Sequence, residues 1–180
     1  LGSFVYALAV SGSDLYVGGQ FANLNGMAAA DKIAKWNGST WSALGSDGSS
    51  GGSLNAVVNA IFVDDGNIYA GGNFTDVNNG GTVLNEADYV ARWDGSNWLA
   101  LGNNGAGDGS LNNYVYALAV IDADLWTGGN FINVNNGGTV IKEADFLAAY
   151  GLDLTPPTVV SIVRANANPT SAASVNFTAT

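Results

Sequence analysis

The sequence predicts an all-β protein built from repeated four-stranded units, and three observations support this prediction. A segment of about 55 residues recurs three times along the 180-residue chain. Short apolar strands alternate with turns rich in Gly, Asn and Asp, and no segment shows the 3.6-residue period of a helix. Charged residues make up only 11% of the chain whereas there are 25 glycines, a composition typical of a turn-rich β protein.

Each unit carries three motifs in the same order, and the third unit has the last motif only in part. The spacing is regular, because Gly18, Gly71 and Gly128 lie 53 and then 57 residues apart. The motifs are VYALAV, VNAIFV and VYALAV at Val5–Val10, Val58–Val63 and Val115–Val120; DLYVGGQF, NIYAGGNF and DLWTGGNF at Asp14–Phe21, Asn67–Phe74 and Asp124–Phe131; and IAKWNGSTWSALG, VARWDGSNWLALG and LAAYGLDL at Ile33–Gly45, Val90–Gly102 and Leu147–Leu154.

Every complete unit is predicted to contain four antiparallel strands. Strand two ends in Gly-Gly, where the missing side chains let a neighbouring backbone or a β-bulge approach closely. Strands three and four are joined at Asn37-Gly38 and Asp94-Gly95, which are strong hairpin signals, and the tryptophans that flank each turn are expected to pack beside it. The segment between strands two and three varies in length and is predicted to be a loop. Gly-rich segments 46–55 and 103–113 are predicted to be flexible connectors between units.

Four antiparallel strands in 53–57 residues fit the blade of a β-propeller. The alternative is an open array of small β-sandwich domains, which is less favoured because one unit has too little core to fold alone. The motif series in residues 1–154 resembles the delta-60 or kelch-like repeats of bacterial secreted propeller proteins. The resemblance implies a propeller fold and an extracellular location. It does not extend to the copper-radical oxidases among kelch propellers, because the chain lacks the Cys and His ligands that they need.

The chain divides into three regions. The regions are the propeller repeats at 1–154, with blades at about 3–55, 56–113 and 114–154, a Pro-rich linker at 155–158, and a segment at 159–180 that resembles the first strands of a truncated bacterial Ig-like module. Leu1-Gly2 matches the Leu-Gly that closes the third motif, and the third unit lacks its fourth strand. We therefore expect either further blades upstream of Leu1 or identical chains that complete one another.

Composition argues against several classes of function. The formal charge is −10, from 15 acidic and 5 basic residues, which disfavours nucleic acid and anionic membranes as partners. The chain has no Cys and no His, and therefore no thiol nucleophile, no imidazole base and no conventional zinc site. No apolar run of 18 residues occurs, so no membrane insertion is expected. We predict that the chain is not an enzyme.

Calcium is the one metal that the sequence leaves open, because carboxylate and amide oxygens cluster in equivalent loops. The spacing fits no EF-hand or nonapeptide pattern, and the Asn-Gly pairs already serve as turns. Asp31, Asp88 and Asp145 recur at one position, so we expect them to accept backbone N–H bonds within each blade. The candidate calcium ligands are Asp76, Asn78, Glu86 and Asp88 in the second unit and Asn135, Glu143 and Asp145 in the third, with Asp47 and Asp108 in the connectors as secondary candidates.

Two further kinds of site follow from single motifs. Trp41 and Trp98 are candidates for stacking on a sugar ring, with packing beside the turn as the favoured alternative. Asn37, Asn73 and Asn176 begin N-x-S/T sequons and are candidates for glycosylation, a low-specificity signal. No cofactor is expected apart from structural calcium.

The leading functional hypothesis is a non-catalytic structural or interaction module of a large secreted or cell-surface protein. Its partners would be other surface proteins or copies of itself, up to assembly into a fibre or sheath. The alternatives are a polysaccharide-binding propeller and an accessory part of a secreted hydrolase whose active site lies upstream. Glycan-array binding distinguishes a sugar-binding protein from a purely structural one.

Overall fold

The computed structural model describes residues 4–152 and 159–161, and it confirms the all-β prediction. Within these residues the only helical element is one 3₁₀ turn at Leu24–Gly26. The strands are β1 (Val5–Ser11), β2 (Asp14–Gly19), β3 (Ile33–Trp36), β4 (Trp41–Ala43), β5 (Val58–Asp64), β6 (Asn67–Gly72), β7 (Val77–Asn79), β8 (Thr82–Leu84), β9 (Val90–Trp93), β10 (Trp98–Ala100), β11 (Val115–Ile121), β12 (Asp124–Gly129), β13 (Val134–Asn136), β14 (Thr139–Ile141), β15 (Leu147–Gly151) and β16 (Val159–Ser161).

Each repeat is the basis of one four-stranded sheet. The first sheet has the order β1-β2-β3-β4, the second β5-β6-β9-β10 and the third β11-β12-β15-β16, and every neighbouring pair is antiparallel. A four-stranded antiparallel sheet is therefore confirmed for each of the two complete units. The turn between strands three and four also lies where predicted, with Trp36 paired to Trp41 and Trp93 paired to Trp98.

The outer strand of the third sheet is a departure from the sequence prediction. The sequence assigns Val159–Ser161 to a separate Ig-like module, but the structure pairs this segment with β15, opposite Ala149 and Tyr150. It thus occupies the position for which the third unit has no strand of its own. The proposed linker at 155–158 and the rest of the Ig-like segment, 162–180, lie outside the described residues.

The predicted bulge at the Gly-Gly pair is confirmed in every sheet. The first strand changes register after its initial valine, between Val58 and Ala60 in the second sheet and at the matching positions in the other two. This bulge brings the Val57 carbonyl oxygen against Gly72, where a Cβ would collide with it, and the first and third sheets repeat the contact. The second glycine is therefore required by backbone packing.

The segment predicted to be a loop between strands two and three is instead a short hairpin in the second and third units. β7 pairs with β8 and β13 pairs with β14. Gly80 and Gly81 form the turn of the first hairpin with φ of +61° and +101°, values that suit glycine. The first unit is shorter here and forms the 3₁₀ turn instead.

The three sheets stack face to face, with β5 in contact with both β1 and β11. We call the face that carries Leu8, Ile61 or Leu118 the front of its sheet, and the opposite face, which carries Tyr16, Tyr69 or Trp126, the back. One apolar cluster fills the space between the back of the first sheet and the front of the second, and another lies between the second and third. A smaller cluster of five buried residues lines the front of the first sheet.

The Gly-rich connectors are held at both ends rather than running free between sheets. In connector 46–55, the Ser46 carbonyl accepts a hydrogen bond from Gly80 N at 2.8 Å, and the Ser53 carbonyl accepts one from Asn78 N at 2.9 Å. Asp47 Oδ1 accepts bonds from two backbone N–H groups of the same connector, and these bonds lower the pKa of Asp47. Connector 103–113 repeats the docking on the β13–β14 hairpin. Each connector is therefore tied to the hairpin of the following sheet.

Candidate functional site: the uncovered sheet faces

A valine fitted against a glycine is the central contact between neighbouring sheets. Val58 and Val115 are fully buried, and each lies on the first glycine of the preceding sheet's Gly-Gly pair. A Cβ added at Gly18 would lie 2.6 Å from Val58 Cγ1, and one added at Gly71 would lie 2.5 Å from Val115 Cγ1. The sheets can approach this closely only because the glycines have no side chain.

Aromatic residues complete the interface near its outer edge. Trp98 is fully buried, and its Nε1 donates a hydrogen bond across the interface to the Leu44 carbonyl at 2.8 Å. In the third sheet Tyr150 is fully buried, and its hydroxyl is hydrogen-bonded to Ser110 Oγ at 2.7 Å. Burial raises the pKa of the Tyr150 hydroxyl, which keeps it neutral. The interface is thus largely apolar, and the polar atoms of Trp98 and Tyr150 are paired within it, whereas the buried Arg92 Nε has no hydrogen-bond partner among the described residues.

The two outer faces of the described array each present one half of this interface without a covering sheet. On the front of the first sheet Val5 is 40% exposed, whereas the equivalent Val58 and Val115 are fully buried. Leu8 and Val10 on the same strand are 64% and 69% exposed. On the back of the third sheet, a Cβ added at Gly128 would have no neighbour closer than 3.7 Å among the described residues. Within residues 4–152 and 159–161, no sheet covers the valine-bearing front or the glycine-bearing back.

The recurring aspartates have the structural role predicted for them. Asp31 Oδ1 accepts a hydrogen bond from Asn23 N at 2.6 Å, and Asp145 Oδ1 accepts one from Asn133 N at 2.9 Å. Asp88 Oδ1 likewise accepts from the backbone N–H of Asp76 at 3.0 Å. All three donors have positive φ, between 51° and 53°. Each carboxylate therefore stabilises a left-handed residue at the start of the variable segment.

The predicted calcium ligands are not brought together. In residues 4–152 no three carboxylates converge on a common point, so Asp76, Glu86 and Asp88 do not form a site. Asn78 instead accepts a bond from Gly81 N at 2.7 Å and Asn135 accepts one from Gly138 N at 2.9 Å, which stabilises their turns. In the third unit Asp145 has the same structural task as Asp88, and Glu143 lies exposed on the surface. The calcium site stays a prediction, without a cluster of three carboxylates in residues 4–152 to support it.

A pair of carboxyl groups links the second sheet to the connector that follows it. Asp88 is only 7% exposed, and its Oδ2 lies 3.4 Å from Gly109 N of the connector. Burial, together with a hydrogen bond between its carboxyl and that of Asp108, raises the pKa of Asp88 to about 6. The first connector has Gly51 at the position of Asp108. Protonation of Asp88 therefore changes near pH 6 at the second junction.

We expect Asp108→Asn to increase stability at pH 7.5 by about 1 kcal/mol and to have little effect at pH 4.5. The pKa of Asp88 is raised in the folded state, so protonated Asp88 contributes to the stability of the fold at acid pH. This contribution is lost as the pH rises through about 6. Asparagine at position 108 removes the repulsion between the two carboxylates, and its amide can still donate a hydrogen bond to Asp88. Urea unfolding across pH 4.5–7.5 measures the change. Asp65→Asn, which removes the same charge from an exposed turn, is the control, and a matching gain there would refute the paired-carboxyl explanation.

The structure excludes Trp98 as a ligand-stacking residue and leaves Trp41 half-buried. Trp98 is 0% exposed and offers no ring face to a ligand. The ring of Trp41 lies 5.3 Å from that of Trp36 and packs on the front cluster of the first sheet. The predicted packing role beside the turn is therefore confirmed for both tryptophan pairs, since the rings of Trp93 and Trp98 are also in contact at 5.6 Å.

Two of the three sequons lie in the described residues. Asn37 is exposed, and its Oδ1 accepts bonds from the backbone N–H groups of Ser39 and Thr40 at 2.9 and 2.8 Å. Asn73 is half-buried and its Oδ1 accepts a bond from Asn59 Nδ2 at 2.8 Å. Asn176 lies outside the described residues. Of the two described sequons, Asn37 is the one accessible on the surface.

A groove of about 270 Å³ lies between the first two sheets, with Tyr16, Lys35 and Trp93 among the residues that line it. Lys35 Nζ forms an ion pair with Asp14 Oδ2 at 3.0 Å, and this bond raises the pKa of Lys35. Desolvation raises the pKa of Tyr16. Lys35, the cation in this lining, is already paired with Asp14. The groove is therefore better described as a gap between packed sheets than as a reaction site.

The uncovered valine-bearing and glycine-bearing faces were not predicted from the sequence as a binding surface. The signal was present, because Val5, Val58 and Val115 align with one another and so do Gly18, Gly71 and Gly128. Alignment shows that these positions recur, but it does not show that the valine of one unit fits the glycine of the preceding unit. That contact depends on how whole sheets stack.

Comparisons with known proteins add little to this description. No protein-family model matches the chain, and no curated protein sequence matches it. Among solved structures, the computationally designed Ika4 protein is 15% identical, with 85% of this chain and 88% of that chain covered and a TM-score of 0.42. The designed Ika8 protein is also 15% identical, with 86% and 45% covered and a TM-score of 0.40. Likeness at this level carries no argument about fold or function.

The part of the chain that the structure describes contains no helix with the length and hydropathy needed to cross a bilayer.

Proposed function

We propose that this chain is a non-catalytic structural or interaction module of a large secreted or cell-surface protein, and that its sheets are blades of a β-propeller of the delta-60 or kelch-like kind. One observation carries the proposal: the same apolar interface joins successive sheets twice, and its two halves lie open at the ends of the described array. Such surfaces are suited to packing against further sheets or to protein association.

The polar groups support a structural rather than a catalytic role. Asp31, Asp88 and Asp145 accept backbone hydrogen bonds, and the Asn and Asp residues of the turns do the same. A catalytic acid or nucleophile needs a free polar atom directed at a substrate site. The residues that recur in every repeat are instead engaged with their own backbone, which is the use expected of a scaffold.

The resemblance of the repeat motifs to secreted propeller proteins supports the extracellular location. The weakly charged, acidic composition is consistent with it, because polarity comes mainly from Gly, Asn, Ser and Thr rather than from Lys and Arg. The proposed partners are other surface proteins or further copies of the chain, as in adhesion or in a fibre or sheath.

Surface labelling tests this proposal. An antibody raised against the folded chain should label intact cells of the source organism or detect the protein in their medium. Permeabilised cells and an antibody against a cytoplasmic protein are the controls. Labelling that appears only after permeabilisation, with none in the medium, would overturn the extracellular assignment.

A further inference from the structure

We infer that two copies of this chain associate head to tail, with the front of the first sheet of one copy packed on the back of the third sheet of the other. This inference deepens the proposed function and rests on its claim that the sheets are stacking modules. The occupant of each open face is thus a second copy of the same protein.

The residues of the two open faces match those that meet inside the molecule. At the internal junction, a Cβ added at Gly18 would lie 2.6 Å from Val58 Cγ1 and 2.9 Å from Ile61 Cδ1. The first sheet presents Val5 and Leu8 at the positions of this valine and isoleucine. The third sheet presents Gly128 at the position of Gly18, and among the described residues the nearest atom to an added Cβ is Ala117 Cβ at 3.7 Å. Val5 and Leu8 of one copy can therefore meet Gly128 of another as Val58 and Ile61 meet Gly18.

The matching surfaces favour a second copy over an unrelated partner. Both halves of the interface lie on the same chain, and the molecule itself forms that interface twice. To cover the glycine-bearing back in the same way, an unrelated protein would need a valine and a second apolar residue placed as Val58 and Ile61 are. Because front and back differ, the contact is heterologous and leaves one open half on each side of a pair. It can close into a ring of two copies or continue into a filament.

Burial of apolar surface would drive the association, and charge would oppose it. Leu8 and Val10 are 64% and 69% exposed in the single chain, and their covering would remove apolar surface from water. Each copy carries a formal charge of −10, so the copies repel one another. Salt screens that repulsion, and association should strengthen as the salt concentration rises.

Two variants block opposite faces. Leu8→Asp places a charge on the front. Gly128→Val fills the slot on the back, where the nearest described atom to an added Cβ is 3.7 Å away. Val83→Asp is the matched control, because Val83 is 52% exposed on the β7–β8 hairpin of the middle sheet and lies on neither open face.

Sedimentation velocity of the full chain at physiological salt separates the outcomes. The wild type and Val83→Asp should associate with the same affinity, as dimers or longer assemblies. Leu8→Asp and Gly128→Val should each be at least about tenfold weaker, which corresponds to about 1.4 kcal/mol. An equimolar mixture of these two variants should form a 1:1 dimer, because each supplies the intact half that the other lacks. Formation of that dimer also shows that both variants are folded.

Three results would overturn the inference. The first is a wild-type chain that remains monomeric at high micromolar concentration and in added salt. The second is a mixture that forms no 1:1 dimer although circular dichroism shows both variants folded. The third is loss of association in Leu8→Asp with wild-type behaviour in Gly128→Val, which would indicate front-to-front pairing. Surface labelling is independent of all three, so a failure of association and a failure of the proposed function are distinguishable.

Discussion

Replacement of Trp98 by alanine is expected to lower the free energy of unfolding by about 3–5 kcal/mol. The indole is fully buried between the first and second sheets, and its Nε1 donates to the Leu44 carbonyl. Alanine would leave a cavity in the larger apolar cluster and an unpaired carbonyl oxygen beside it. Urea unfolding followed by circular dichroism measures the loss.

Trp41→Ala is the internal control for this prediction. Trp41 occupies the same position in the first sheet, but it is half-buried and has no preceding sheet against it among the described residues. Its loss should therefore cost markedly less than the loss of Trp98. Equal destabilisation by the two substitutions would show that the tryptophans act within their own hairpins, and that the contact between sheets is not the source of stability.

The second large effect is expected at Gly71, where an alanine should destabilise the fold by about 1–3 kcal/mol through overpacking. Its Cβ would lie 2.5 Å from Val115 Cγ1 and 3.2 Å from Val115 Cβ, so the third sheet would have to move away from the second. The thermal midpoint, measured at low protein concentration so that association does not contribute, reports the change.

Gly128→Ala is the matched variant, because Gly128 holds the equivalent position in β12 and no described atom lies closer than 3.7 Å to an added Cβ. It should change stability by no more than about 0.5 kcal/mol. If Gly128→Ala were as harmful as Gly71→Ala, the cost would come from the strand conformation of the glycine itself and not from the valine that faces it.

Local signals predicted most of each sheet. The alternating first strands, the turns at Asn37-Gly38 and Asp94-Gly95, and the bulge at each Gly-Gly pair are properties of short segments, and all lie where expected. The backbone-capping role of Asp31, Asp88 and Asp145 could also be predicted, because one acidic residue recurs at an otherwise variable segment. Such short-range interactions leave a direct mark in the sequence.

Contacts between distant segments were harder to predict. β16 pairs with the third sheet across an intervening segment that has no repeat equivalent, so the motif series gives no indication of it. The hairpins β7–β8 and β13–β14 were read as loops because their strands are only three residues long. The approach of Asp108 to Asp88 depends on how the connector folds back over the sheet, and residue spacing does not encode that path.

The docked connectors determine how mechanical load would pass along the array. Each connector is hydrogen-bonded to the hairpin of the following sheet, through Gly80 and Asn78 in one case and Gly137 and Asn135 in the other. The second connector also lies against Asp88 of the sheet before it. These hydrogen bonds cross the junctions between sheets, so they would oppose a force that pulls neighbouring sheets apart. The array would then separate only when the connectors come off the hairpins.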